Sequence, residues 1–517
     1  MKLNYKRTIY VGLAFFLITL FWQTYDAIIP KILTDKFGMP HVWSGAIMAI
    51  DNVLALFLLP LFGAISDKHR GKKGRRTPFI TFGAIIAAIA LVGLSVVDNA
   101  QLKRIEDISA VVDPKSSAYT EAMETLYDSD VQINVDGKKA PLSSFIERED
   151  FLELGYETVD GKEILEEDYS RLVTPARQSY AARVTSENAW ILAAFVGVLL
   201  VALLAMSTFR SPAVALMPDV TPKPLRSKAN AVINLMGTLA GILILVVGKL
   251  FGTGSPKNAL MNYISVFAFT AALMMVALMI FRFKVNEPLL VSEMEKTESE
   301  SLGESQNTAT EERKLSRGEK RSLIFILLSV VMWFMGYNAV TTKYSVYASE
   351  VLGLDYNTTL MIASATALIA FIPVGIVASR IGRKKTILAG VVMLFVAFAG
   401  AIFVNQGTNI IVVNLLFALA GIGWATINVN SYPMVVELSQ GGNVGKYTGY
   451  YYTASMAAQT ATPVLSGILF DTFGIEKVFF PYAAAFVAVA FVTMLFVMHG
   501  DSKPESSKSK LEAFDVD

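Results

Sequence analysis

Three charged residues stand where an apolar chain accommodates them least. Asp26, Asp51 and Arg210 each lie inside a long hydrophobic run. A charge at the centre of a membrane helix costs about 2.5–3.5 kcal/mol on insertion scales, so such a residue is a functional candidate by default. Asp26 shares a helical face with Thr19, Trp22, Gln23 and Pro30. A carboxyl group there can take up a proton, and it can accept hydrogen bonds from sugar hydroxyls while Trp22 stacks on the ring. The structural alternative is a cap beside a bend at Pro30. Asp51, with Asn52 beside it, lies ~13 Å from the start of its run near residue 43, at 1.5 Å per helical residue. At that depth it must protonate or find a cation, and Arg210 is the obvious partner. Arg210 shares a face with Ser207, Ser211 and Val214. Its guanidinium can donate two parallel hydrogen bonds, to vicinal hydroxyls or to a carboxylate. Two aromatic faces further along, Trp333/Tyr337/Thr341 and Trp424/Asn428/Ser431, are candidate opposite walls, with plain packing as the alternative.

The elements that must hold these residues are membrane spans. The chain has 517 residues, 53% hydrophobic and 17% charged, and a mean hydropathy of +0.48. Soluble chains carry about 25% charged residues. Twelve stretches are long enough to cross a bilayer: 8–33, 43–66, 78–98, 188–216, 229–251, 260–282, 321–346, 358–379, 386–405, 409–436, 446–470 and 478–499. The first follows Lys2, Lys6 and Arg7 as a signal peptide would, but it runs past Trp22 to Pro30 without an Ala-x-Ala site and reads as a retained helix.

Lysine and arginine in short loops set the orientation. One side holds the N-terminal cations, then Lys68, Arg70, Lys72, Lys73, Arg75 and Arg76, then Lys223, Arg226 and Lys228, then Arg380, Arg383, Lys384 and Lys385. That side is expected to be cytoplasmic, with both termini on it. Lys31 and Lys343 are expected to snorkel to the outer interface. Asp219 and Glu437 are expected to pair with loop cations. Residues 283–320, rich in Ser and Glu, read as a disordered cytoplasmic linker, and 500–517 as a cytoplasmic tail. Residues 99–187 hold 19 acidic against 10 basic residues. With turn signals at Val135-Asp136-Gly137 and Val159-Asp160-Gly161, they read as a small folded extracellular insertion whose partner the sequence does not identify.

The two ends of the chain repeat. Tyr25, Asp26, Ala27 and Lys31 each lie 312 positions before Tyr337, Asn338, Ala339 and Lys343. The run Gly63 to Lys68 precedes Gly375 to Arg380 by the same 312, whereas Asp219 precedes Glu437 by 218. The difference of 94 is about the length of the insertion. The chain therefore reads as two six-helix halves, 1–282 (carrying the insertion) and 321–499.

Gly63-Ala64-Ile65-Ser66-Asp67-Lys68 followed by Gly74-Arg75-Arg76 resembles the loop 2–3 signature of the major facilitator superfamily, and Gly375 through Gly382-Arg383-Lys384 resembles its copy in loop 8–9, with Ser379 where an Asp is usual. The resemblance implies that Gly63, Asp67, Lys68, Gly74, Arg75 and Arg76 serve gating. Met39 through Trp43, Ser66 through Ile80 and Arg210 through Ala231 are similar to the sucrose-transporter-like and glycoside–cation symporter branch. Sucrose-type relatives place an Arg in the helix corresponding to that of Arg210. The paired Asp residues that melibiose-type relatives carry before a proline are missing: Leu59 and Ala55 precede Pro60.

The expectation is an all-α, twelve-helix membrane transporter, not an enzyme. It moves a small hydrophilic solute, a sugar or glycoside, by cation symport. The expected substrate-binding residues are Trp22, Gln23, Asp26, Asn52, Arg210, Trp333, Tyr337, Trp424 and Asn428. Asp51 and Asp26 are expected to couple the cation, a proton rather than sodium. A proton-coupled exporter of amphipathic compounds, a polytopic membrane enzyme and a non-transporting receptor are the alternatives; the polar inventory and the short basic loops weigh against the first two. With no cysteine, three isolated histidines (His41, His69, His499) and a net charge of +1, no metal site, cofactor or nucleic-acid partner is expected.

Overall fold

A computed structural model describes the backbone of residues 3–135, 137–159, 162–166, 168–222, 226–301, 315–438 and 444–500. Asp136, Asp160, Gly161, Lys223, residues 302–314 of the linker and 501–517 of the tail lie outside the described residues, as do the side chains of Arg226, Lys228, Asn230 and Ser379.

Twelve long helices form the body. The first half contributes α1 (Tyr5–Lys31), α2 (His41–Lys68), α3 (Thr77–Leu102), α7 (Ala189–Val220), α8 (Arg226–Phe251) and α9 (Ile264–Lys284). The second contributes α11 (Arg317–Glu350), α12 (Tyr356–Ile381), α13 (Arg383–Ala401), α14 (Ile410–Glu437), α15 (Val444–Phe473) and α16 (Ile475–Leu495). Among the described residues ten of these are long and apolar enough to cross a membrane; α12 and α15, of 26 and 30 residues, complete two sets of six. Start signals are local. Ser316 accepts from the Glu319 amide and Glu319 bonds back to Ser316, a capping box that opens α11.

Packing repeats as the sequence offset does. In the first half α3 packs on α7, α1 on α8, α2 on α7 and α3 on α9. In the second, α13 packs on α14, α11 on α15, α12 on α14 and α13 on α16. The halves meet along α2–α15, α8–α12 and α1–α11.

Two expectations need correction. The linker is not wholly irregular: Glu287–Ser301 forms α10, docked on the first half. Lys31 and Lys343 do not snorkel; both are fully buried. The helix of α1 continues beyond Pro30 as a π-helical turn, Ile32–Lys36, which carries its last charges inward.

The insertion holds α4 (Tyr119–Asp128), α5 (Arg148–Glu153), α6 (Thr174–Glu187) and two antiparallel hairpins, β1 (Gln132–Val135) with β2 (Lys138–Pro141) and β3 (Tyr156–Val159) with β4 (Lys162–Leu165). It has its own apolar core, including Ile108, Leu126, Phe151 and Val173, which Ala259 and Leu260 of the α8–α9 connection join. Tyr169 donates to the Val111 carbonyl at 2.5 Å, and burial pushes its phenol up to about 12.

Candidate solute-binding site and gates

In the first half, α1, α2 and α7 bring Trp22, Asp26, Asp51, Asn52 and Arg210 together. The Arg210 guanidinium lies 5.6 Å over the Trp22 ring, within cation–π range. Both carboxylates are within electrostatic reach of it, Asp51 more strongly than Asp26. Neither is bonded to it directly: among the described residues no hydrogen bond or ion pair joins Arg210 to Asp26 or Asp51. Asn52 donates to Asp51 at 2.9 Å, so it orients that carboxylate. Trp22 is fixed edge-on by Phe21 and Tyr25, each 5.3 Å away, and its Nε1 is buried without a partner. Gln23 lies on the α8 side of α1, close to Gly241, where the small residue lets the helices approach. The result is a partly open cluster of two carboxyl groups, one guanidinium and one indole. A guanidinium bonded to neither carboxyl can receive a polyhydroxylated solute, and a carboxyl there can exchange a proton.

The second half supplies an aromatic slab. Tyr337 stacks on Trp424 at 3.6 Å with the rings parallel, and Phe334 meets Trp424 edge-on at 5.2 Å. Asn428 is partly exposed on α14. Trp333 is different: it is completely buried in the core, with Nε1 unpartnered. It lies one turn before Gly336, whose α-carbon faces Ala483 and Val487 of α16. Two residues escaped the sequence reading. Asn338 occupies the repeat position of Asp26, and its amide nitrogen is buried without a partner. Tyr452 of α15, 41% exposed, lies within electrostatic reach of Arg210. The 312 offset pointed to Asn338; nothing in the pattern singled out Tyr452 among its neighbouring tyrosines.

The loop 2–3 residues form a bracket. Arg76 bonds Asp67, Ser66 Oγ (2.5 Å) and Asp219 (2.8 Å); Arg75 pairs with Asp219 at 2.6 Å. Glu287 of α10 accepts from the amides of Arg75, Arg76 and Thr77 at 2.7–2.9 Å and from Thr77 Oγ1, an anion seated on the N-terminus of α3. Gly74 (φ 97) has no room for a side chain beside that carboxylate. Gly63 lets α2 approach Ser211 of α7, and Lys68 is exposed. In the second half Arg383 pairs with Glu437. All these bonds stay within one half.

At the other end the bonds cross between halves. Lys31 donates to Ser349 Oγ (3.1 Å) and to the Thr253 carbonyl (3.3 Å); Lys343 donates to Ser44 Oγ (2.8 Å). Asp471 accepts from the amides of His41 (2.7 Å) and Val42 (2.8 Å). A Cβ at Gly45 would lie 2.0 Å from the Pro463 carbonyl oxygen, whereas at Gly449, well down α15, nothing lies within 4 Å. Among the described residues, the bonds named here join the halves at the insertion side.

The model of the Major Facilitator Superfamily matches residues 179–454 and 364–514, and that of the MFS/sugar transport protein family matches 10–101. A sucrose transport protein of Arabidopsis thaliana is 39% identical over 57 residues, 11% of each chain. An MFS-type transporter of Metarhizium rileyi is 28% identical over 125 residues, 24% of this chain and 25% of the relative. The chain thus matches no more than a quarter of either relative. Among solved structures, a bacterial homologue of the iron transporter ferroportin in an inward-facing state aligns over 96% of this chain and 99% of its own, with TM-score 0.59 and 11% identity. A D-xylose–proton symporter aligns over 95% and 97%, with TM-score 0.56 and 14% identity. At such identities the likeness is one of fold.

Proposed function

This chain belongs to the Major Facilitator Superfamily, and on that premise we propose that it is a proton-coupled importer of a sugar or glycoside in the plasma membrane. The observation that carries this reading is the interior cluster of Trp22, Asp26, Asp51 and Arg210, in which the guanidinium is bonded to neither carboxylate. Vicinal hydroxyls suit a guanidinium, and an indole face suits the apolar side of a sugar ring. The match to the sugar-transport family over 10–101 covers α1 and α2, which carry three of these four residues. The partial likeness to a sucrose transport protein points the same way. A proton is favoured over sodium because Ala55 and Leu59, not carboxylates, precede Pro60.

In this reading the halves rock about the midplane site. The basic loop 2–3 side is cytoplasmic, as are both termini, and the insertion is extracellular. The bonded insertion side then corresponds to an inward-facing state. Coupling follows if the loaded carrier reorients only when a carboxyl in the site is protonated. The test is uptake of labelled mono- and disaccharides into vesicles with proton and sodium gradients imposed separately. Accumulation driven by the proton gradient alone supports the proposal. Accumulation on sodium alone, or efflux of amphipathic compounds with no sugar uptake, refutes it.

A further inference from the structure

We propose that the insertion between α3 and α7 is a gate: it travels with the first half and latches onto the second when the insertion side is closed. The inference rests on the alternating-access reading above. The insertion is joined to the first half at both chain ends and by packing. Gln101 donates to the Lys36 carbonyl (2.8 Å) and to Thr185 of α6 (3.0 Å). Gly38 (φ 60) sits directly under α6, where a Cβ would lie 2.1 Å from the Gln178 carbonyl oxygen. Ala259 and Leu260 of the α8–α9 connection belong to the insertion's core. These contacts make the insertion and the first half one body.

Among the described residues, polar side chains on two flanks of the insertion bond to the second half. Arg177 of α6, 3% exposed, pairs with Asp35 of the first half at 2.7 Å and reaches Glu350, at the end of α11, at 3.8 Å. Gln178 donates to the same Glu350 oxygen at 2.8 Å. On the other flank Gln406, in the α13–α14 connection, donates to Ser170 at 3.4 Å. The bond of Arg177 to its own half is the shorter. When the halves part on this side, the Glu350 and Gln406 contacts are the ones that release. The insertion thus lies across the same seam that Lys31, Lys343 and Asp471 close below it.

The chain has no cysteine, which makes single-cysteine accessibility a clean readout that needs no known solute. Ser466 of α15, fully buried between Pro463 and Phe470 of the seam and with its hydroxyl unpartnered, is the reporter position. In S466C, modification by a membrane-impermeant maleimide added on the insertion side measures how often the seam opens. Arg177→Gln in that background should speed modification about tenfold, the factor a 1.4 kcal/mol shift gives. A second variant guards against misfolding of the insertion. A disulfide between S170C and Q406C should suppress modification of the reporter thiol, and prior reduction should restore it. Gly467→Val provides the reference: its side chain would crowd the His41 carbonyl across the seam and wedge it open without touching the insertion. Rapid labelling in G467V with no acceleration in R177Q, or unchanged labelling in the locked disulfide, overturns the latch and leaves alternating access standing. Failure of all three to alter labelling overturns both.

Discussion

The two ends of the molecule use the same residue types to opposite effect. At the loop 2–3 end, Arg75, Arg76, Asp67, Asp219 and Glu287 bond within the first half, and Arg383 with Glu437 within the second. At the insertion end, Lys31, Lys343 and Asp471 each bond across the seam. The first arrangement stiffens each half as a body. The second joins two bodies, and it must be undone whenever they part. Lys31 and Lys343 make the contrast sharper, because they occupy repeat-related positions, each reaching from its own half into the other. A buried lysine is tolerated only where oxygens meet its protons, and here the opposite half supplies a serine to each.

That contrast can be broken in graded steps. The largest effect is expected from Gly45→Val: no side chain fits beside the Pro463 carbonyl, so the insertion side cannot close, and solute uptake should fall to background while the protein still reaches the membrane, as surface labelling would report. Arg210→Ala comes next. It removes charge-assisted hydrogen bonds worth about 1.5–3 kcal/mol, and solute affinity should weaken about 10- to 150-fold in binding assays, with the seam unaffected. Ser44→Ala and Ser349→Ala each leave a buried ammonium short of an acceptor. A cost of about 1–2 kcal/mol should raise accessibility of the insertion-side vestibule about 5- to 30-fold, toward the upper end in Ser44→Ala because Lys31 keeps the Thr253 carbonyl when Ser349 is lost; a larger response in Ser349→Ala would contradict this. The smallest effect is expected for Arg383→Ala. A partly exposed pair within one half contributes about 0.2–1 kcal/mol, so vestibule accessibility should change less than about fivefold.

How much of this was legible in the sequence divides along the same line. The hydrophobic runs located all twelve helices to within a few residues, because a lipid-spanning segment must be continuous and apolar. The repeat offset announced the paired packing of α3–α7 and α13–α14. Asp219 and Glu437 pair with loop arginines as their positions at helix ends suggested. Contacts across the seam were not legible. Lys31 and Lys343 look like interface anchors because periodicity reports distance along a helix, not what a second body covers. Trp333 and Tyr337 share a face of α11, but the pattern does not report what a neighbouring helix covers, and the indole ends in the core. The α10 helix was hidden by its polar composition; it docks through Glu287 on three backbone amides, Glu293 on Arg7 and Leu290 on the core.

The central claim is that carboxyl groups inside the first half couple a proton to solute movement. It is tested most directly in proteoliposomes, by comparing accumulation of a transported sugar under an inward proton gradient for the wild type, Asp26→Asn and Asp51→Asn. Uphill accumulation is expected in the wild type and its loss in each variant, with solute exchange at equal pH retained in at least one. Full uphill accumulation in both variants would contradict it.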